Sequence, residues 1–372
     1  MQTSLLEPAC PEWRETLTRC LHDCHHTPGW YIAAERSDHG SAAAVRVTDG
    51  AHELLVPMLR RPIGWDSWDA TSAYGYGGPV LSHDAPAGFA DEALGAAIAL
   101  LRERGCVSWF IRMHPLLNAG WNSGLGLVVE QGETVWVDLT KSAERQWQET
   151  QARHKQGINR ARRAGVTVRL DREFAGLPRF VELYNATMTR LQASPYYFFD
   201  ALYYRALARG LGDDLLLFVA EEGGCTIGAA LFTVARGSGI MQYHLSAWDW
   251  EYRRHQPTKT VIHAAREWGQ ANGMHYLHLG GGLGSANDSL FEFKRGFSPD
   301  THVYRTQRLV LDPNRYVALS GGDDATLKNL DGFFPAYRRP GANMGKYFSS
   351  SEKVVSASDG LARRAPMSLS GP

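Results

Sequence analysis

The chain has 372 residues, 44% of them hydrophobic and 11% aromatic, with 39 basic and 39 acidic residues and a formal net charge of zero. That length suits two domains, and the apolar content excludes a disordered chain. The balanced charge argues against a general nucleic-acid binder, which carries a basic excess, although one local basic stretch is present. In chain order, residues 12–25 read as a helix with Leu17 and Leu21 on one face, ended by Pro28-Gly29. Strands are expected at 30–35, 42–47 and 53–59, separated by Gly40 and the Asp49-Gly50 turn, as in an antiparallel meander. The segment Tyr74-Gly75-Tyr76-Gly77-Gly78-Pro79 reads as an ordered loop. A helix over 90–104 and strands over 108–113 and 134–139 follow.

A long polar helix is expected over 142–164, closed by Gly165, and then a second series begins. It reads strand 166–170, helices 177–191 and 200–210, strands 215–221, 226–236 and 239–247, helix 258–272 and strand 276–279. A short helix at 288–296 and a strand at 303–311 complete it. Helices, antiparallel strands, helix and strand in this order match a GNAT acyltransferase domain, and the first half repeats the order in degraded form. The expected fold class is therefore α/β (α+β), with tandem GNAT-like domains, each a mixed, mostly antiparallel sheet flanked by helices. The expected division is an N-terminal domain over 1–145 and a catalytic domain over 146–311. An extension over 312–348 packs back, because Tyr316, Phe333, Phe334, Tyr337, Tyr347 and Phe348 need burial, and a disordered tail follows over 349–372.

The densest signal runs from Gln242 to Phe297. Strand alternation puts His244 and Ser246 on one face. After the next helix comes Leu277-His278-Leu279-Gly280-Gly281-Gly282, where missing side chains allow close approach of a ligand or another backbone. Asp288 and Phe293-Lys294-Arg295-Gly296-Phe297 follow. A lysine there can donate to a developing oxyanion. The plainer alternative is a tight turn with Lys294 in water.

This stretch resembles the signature end of the Fem-type peptidyltransferases, a glycine-rich strand end followed by Asp-x-Leu and Phe-Lys-x-x-Phe. Four other stretches are similar to this group. They are His154 to Val166, Asp23…His25-x-x-Pro28, the Tyr74–Pro79 loop, and Tyr184…Met188 through Tyr196-Tyr197-Phe198-Phe199. The resemblance covers roughly residues 20–311. It implies a tandem GNAT enzyme that moves an aminoacyl group from aminoacyl-tRNA to an amine. The implied acceptor is a small metabolite, as in the tailoring relatives, or a peptidoglycan precursor. The helical-hairpin arm of the bridge-lengthening members has no counterpart here. On this reading Lys294 stabilises the oxyanion and His244 accepts a proton. Tyr74, Tyr76, Tyr197, Ser246, Gly281, Gly282, Asp288 and Phe293 line the substrate cleft.

The basic helix carries Arg153, Lys155, Arg160 and Arg163, with no acidic residue between Glu149 and Asp171, and is expected to contact tRNA phosphates. A solvated helix face is the alternative. Cys20-x-His22-x-Cys24-His25-His26 has metal-ligand residue types but no second ligand pair at finger spacing, so no metal is expected. His25 or His26 then serves as a cleft or structural residue. A Gly-x-Ser-x-Gly elbow, a Walker loop and a dinucleotide fingerprint are absent. No cofactor is expected beyond the donor substrate. An acyl-coenzyme A donor is the rival enzyme reading, but Arg253 to Thr258 lacks the glycines of a pyrophosphate loop. A non-catalytic tRNA- or cell-wall-binding module is the other rival. The five scattered cysteines, the lack of a basic-then-apolar leader and the shortness of the apolar run at 94–101 predict a cytoplasmic protein without membrane insertion, either monomer or homodimer.

Overall fold

The computed structural model describes residues 1–64 and 66–339; the expected tail and the aromatic residues Tyr347 and Phe348 lie outside these. The first series is β1 (Gln2–Leu6), α1 (Pro11–Thr18), α2 (Pro28–Asp38), β2 (Ser41–Thr48), β3 (Glu53–Gly64), β4 (Ser67–Thr71), a short β5 (Val80–Leu81), α3 (Phe89–Glu103) and β6 (Cys106–Arg112). Next come β7 (Leu127–Asp138), α4 (Ala143–Glu149) and α5 (Ala152–Arg163). The second series is β8 (Thr167–Asp171), α6 (Leu177–Arg190), α7 (Ala201–Leu211), β9 (Leu215–Glu222), β10 (Cys225–Ala235), β11 (Ile240–Trp248), α8 (Pro257–Ala271) and β12 (Tyr276–Gly280). The described chain finishes with α9 (Ser289–Arg295), β13 (Thr301–Val310) and α10 (Pro313–Ser320). Both series follow one order: strand, two helices, three antiparallel strands, helix, strand.

Some expected elements need correction; the helix expected over 12–25 is α1, which ends at Thr18. Residues 30–35 are helical, because Pro28 opens α2 at its first position instead of ending α1. Thr27 is the cap, its hydroxyl accepting from the Trp30 amide at 3.3 Å. The long polar helix is two helices, because Thr150 and Gln151 are extended (ψ 129° and 148°). There the buried Arg266 donates to the Thr150 hydroxyl at 2.9 Å.

The chain divides into two compact units that are not contiguous in sequence. The first is Met1–Gln131 with Phe199–Gly210 and the described residues from 303 onward; the second is Gly132–Phe198 with Leu211–His302. The divisions anticipated near 145 and 311 therefore fall inside β7 and inside β13. Helix α7, anticipated in the second domain, packs in the first unit. There Gly29 and Gly210 meet so closely that a Cβ on Gly29 would lie 2.2 Å from the Gly210 oxygen.

Each unit is a mixed, mostly antiparallel sheet flanked by helices. In the first the order is β1-β2-β3-β4-β6-β13, with β4 and β6 parallel. In the second it is β8-β9-β10-β11-β12-β7, with β11 and β12 parallel. Each has its own apolar core, built around Leu54, Met58 and Trp109 in the first and Phe232, Ile262 and Phe297 in the second. Burying one such side chain stabilises by about 2–3 kcal/mol. In the extension, Tyr316, Phe334 and Tyr337 pack with Ile63 and Val107, while Phe333 stays 36% exposed. Among the described residues no helix is long and apolar enough to cross a membrane.

Candidate functional site

Strands β11 and β12 pair only over Ile240–Gln242 and Tyr276–His278. The last rung is fastened by a buried 2.6 Å hydrogen bond between His278 Nδ1 and Gln242 Oε1. Beyond it β11 continues to Trp248, while β12 stays with β7, pairing Gly280 with Val135. The two strands thus separate and open a cleft between them. Leu231 pairs with Leu245 and Phe232 with Tyr243, so His244 is the extra residue of a bulge. The bulge breaks strict alternation, and the Tyr243 hydroxyl meets the Ser246 hydroxyl on one face. His244 and Ser246 are both half-buried.

The glycine turn and α9 close the other wall. Gly281 approaches β7 so nearly that a Cβ would lie 2.8 Å from the Glu133 oxygen. At Gly282 a Cβ would lie 2.0 Å from the Ala286 oxygen. Asp288 caps α9: its Oδ1 accepts from the Phe291 amide at 2.9 Å and its Oδ2 from the Leu283 amide at 3.0 Å. Its carboxylate therefore shapes the loop. Lys294 is 8% exposed, not solvated, and its Nζ donates to the Gly281 oxygen at 2.6 Å. Its Nζ lies 6.0 Å from the centre of the Tyr243 ring. Burial pushes its pKa down to about 8, against the attraction of Asp288. An ammonium has three donors, and among the described residues only Gly281 takes one by a hydrogen bond. Phe293 packs on His154 and Phe297. His154 donates to the Phe293 oxygen at 2.8 Å, and burial, followed by the charge of Lys259, lowers its pKa to about 4.

The basic helix has a partner that sequence reading missed. Lys259, on the first turn of α8, lies under Gly157, where a Cβ would be 3.1 Å from the lysine Cδ. Burial first, then Arg153 and Arg160, lower its pKa to about 8. Lys259 Nζ donates to the Arg153 main-chain oxygen at 3.4 Å, so these two cations meet at the positive end of a 15-residue helix whose start has no side-chain cap, with Arg160 near enough to act on the lysine, an arrangement that suits an anion. Arg153 also donates to the Glu292 oxygen at 2.6 Å, and Lys155 reaches the Gln148 oxygen at 3.5 Å. Arg160 and Arg163 are exposed. Lysine at 259 gave no signal because it stands 99 positions from Arg160 in sequence.

Tyr74 and Tyr76 belong to the first unit, and Tyr197 to the second, where it packs edge-on against Tyr196. The Tyr74 backbone oxygen accepts from the Trp30 indole at 3.0 Å. The Tyr76 ring sits edge-on to His25 at 5.6 Å and to Tyr304 at 5.2 Å. Under this loop lies Asp23, 1% exposed, whose Oδ2 accepts from His25 Nδ1 at 2.7 Å and from His114 Nε2 at 3.0 Å. Burial raises the Asp23 pKa, but His25 and His114 outweigh it and hold it well below the usual range. Donor atoms of Asp23, Cys24 and His25 lie within 4.8 Å of one another, yet the Asp23 oxygens are already engaged by N–H groups. In the first unit the opening beyond β4 is filled: Ser72 pairs with Phe110, and Gly75, Gly77 and Gly78 press on His25, Tyr31 and Asn118.

Comparison with known proteins agrees with this architecture. Residues 148–295 match the family model of the acetyltransferase (GNAT) domain. The crystal structure of FemX superposes with a TM-score of 0.64 at 14% identity, covering 86% of this chain and 99% of that one. The C-terminal domain of a putative lysylphosphatidylglycerol synthetase from Agrobacterium fabrum gives 0.51 at 14% identity, covering 80% and 90%. L-PGS from Bacillus licheniformis gives 0.51 at 14% identity, covering 88% and 96%. No curated protein matches the chain in sequence. The fold is Fem-like, and residues 148–295 carry the GNAT domain.

Proposed function

We propose that the second unit transfers an aminoacyl group from aminoacyl-tRNA to an amine and forms an amide. The observation that carries this is the buried Lys294 ammonium beside the cleft between β11 and β12, held by Gly281 with donors to spare. The amine attacks the ester carbonyl of the donor, and negative charge grows on the carbonyl oxygen. Lys294 stabilises that oxyanion in a site with little water, where a charge acts strongly. His244 accepts the proton lost by the amine. The tetrahedral intermediate then expels the ribose oxygen, which takes that proton from His244 and leaves as the free hydroxyl. No covalent enzyme intermediate is required, so positioning and charge stabilisation suffice.

The meeting of Arg153 with Lys259, with Arg160 nearby, supports a phosphate-bearing donor, and the Fem-type resemblance of Asp288 and Phe293-Lys294-Arg295-Gly296-Phe297 supports an RNA-borne one. The acceptor is an amine of a small metabolite or a peptidoglycan precursor. The rival is acyl-coenzyme A, which also fits a parted pair of strands; the glycine-free connection from Arg253 to Thr258 weighs against it. A donor panel tests the choice. Purified protein receives charged tRNA pools or acyl-coenzyme A with a mixture of amines, and release of labelled acyl group is followed. Release from charged tRNA alone is expected. Turnover from acyl-coenzyme A alone replaces the donor, and silence from both favours a binding module.

A further inference from the structure

The connection from β11 to α8 carries a group of side chains that the reacting centre does not use. The Arg190 guanidinium, at the end of α6, lies 5.3 Å from the centre of the Trp248 ring and 4.7 Å from that of Trp250. Arg253 lies 4.9 Å from Trp250 on the same turn. Trp250 is nevertheless 50% exposed. Among the described residues no ion pair is formed by Arg190, Arg253 or the neighbouring Arg254, whereas Asp249 is already bonded to Arg179 at 3.0 Å. Glu251 is the one acidic side chain within the turn Trp250–His255.

We propose that Trp250, with Arg190 and Arg253, is a stacking platform for the terminal base of the donor's single-stranded 3′ end. The inference rests on the aminoacyl-tRNA reading above. Position favours it. Trp248 ends β11 two residues beyond Ser246, whose hydroxyl meets Tyr243 beside Lys294. At about 3.3 Å per residue it stands roughly 7 Å further along the strand. The chain then passes through Trp250 and Arg253 to Lys259 and its cations. Along the chain, reacting centre, aromatic platform and anion site thus follow in the order in which a charged RNA end presents ester, base and phosphates. Chemistry favours it too. A base stacks on an exposed indole whatever its identity, and guanidinium groups add cation–π attraction and counter the phosphates. A sugar ring would also stack on tryptophan, but its hydroxyls call for carboxylate and amide partners, where this turn offers guanidinium groups.

The test uses the full chain with Trp250→Ala and Trp250→Phe. The readouts are steady-state transfer from charged tRNA and inhibition by the trinucleotide CCA. Trp250→Ala should raise the KM for charged tRNA five- to hundredfold, the span about one lost base stack produces. It should weaken CCA inhibition by the same factor and leave kcat within about twofold. Trp250→Phe should stay near the parent. Because the lost group is neutral, the salt dependence of KM should not change. If the parent transfers from charged tRNA and Trp250→Ala keeps its KM within about twofold, the platform is overturned while the donor reading stands. If the parent accepts no charged tRNA, the donor reading falls first and the platform with it. A KM shift confined to acyl-coenzyme A also overturns the RNA assignment.

Discussion

Lys294 Nζ lies 2.6 Å from the main-chain oxygen of Gly281, so the glycine turn after β12 and the short helix α9 are fastened by a buried cation. One donor of the ammonium holds the loop, and the others remain for a reacting group. Lys294→Met keeps the aliphatic stem and deletes the charge. It should lower kcat about a hundredfold or more with little change in donor KM, and the thermal midpoint should stay close to the parent's, because loss of the Gly281 hydrogen bond is offset by removal of a costly buried charge. Turnover within about threefold of the parent would remove Lys294 from oxyanion stabilisation.

The pH profile should report the same group. Lys294 is protonated below its folded pKa of about 8 and loses its charge above it. With both substrates saturating, kcat should therefore fall as pH rises through about 8. Stability should move the other way. The unfolded lysine keeps its ordinary value of 10.5, so between about 8 and 10.5 the unfolded chain binds more protons and stability rises with pH. Lys294→Met should flatten that rise. A kcat that stays level to pH 10 assigns the charge elsewhere.

Binding should depend on the cations at the start of α8. The double variant Lys259→Ala with Arg160→Ala should raise donor KM and shallow its salt dependence, the slope changing by about 1 to 2 units. Because burial and neighbouring arginines hold Lys259 near 8, donor KM in the parent should also rise above that pH. An unchanged salt slope would make this a solvated surface.

Gly282→Ala tests the loop itself. The added Cβ would lie 2.0 Å from the Ala286 oxygen and 2.4 Å from Asp288 Oδ1, so the cap of α9 must shift. A displacement near 1 Å at the reacting centre costs about a hundredfold in rate. The variant should fold, since its core is untouched, and lose activity to that degree. Full activity would show that the Gly282–Asp288 loop does not position Lys294.

Asp23 should matter to stability in the first unit. Its folded pKa is held well below the ordinary aspartate value of 3.8, so its contribution is complete above about 4 and is lost as pH falls further. Asp23→Asn strands buried imidazole donors and should destabilise by about 3 kcal/mol at neutral pH. The gap to the parent should narrow in acid. Urea unfolding at pH 7 and pH 3 measures both values, and equal midpoints at pH 7 would count against the role.

Much of the second unit could be read from its residues. Apolar runs joined by Gly223-Gly224 marked β9 and β10, a further strand-like run marked β11, and the period of α8 with Gly273 after it marked that helix. Three glycines, Asp288 and Phe-Lys-x-x-Phe marked the turn and α9. Thr27-Pro28-Gly29 is ambiguous by sequence, since Thr-Pro suits a helix start and Pro-Gly a turn, and only the packed chain makes it the start of α2.

The sequence alone determined the repeated order of elements, the glycine turn and the basic run on α5. Each depends on backbone torsions and side-chain character within a few residues. Tertiary structure decided that Lys294 is buried with a lowered pKa, since that follows from the residues packed round it. It also placed Lys259 against Arg153 and Arg160, and α7 in the first unit. The bulge at His244 likewise exists only through pairing with β10, where Leu231 and Phe232 skip it. Charge and hydropathy patterns record which groups a segment carries. The energy of those groups depends on neighbours brought from distant parts of the chain, because burial strips away water and lets a few nearby charges dominate.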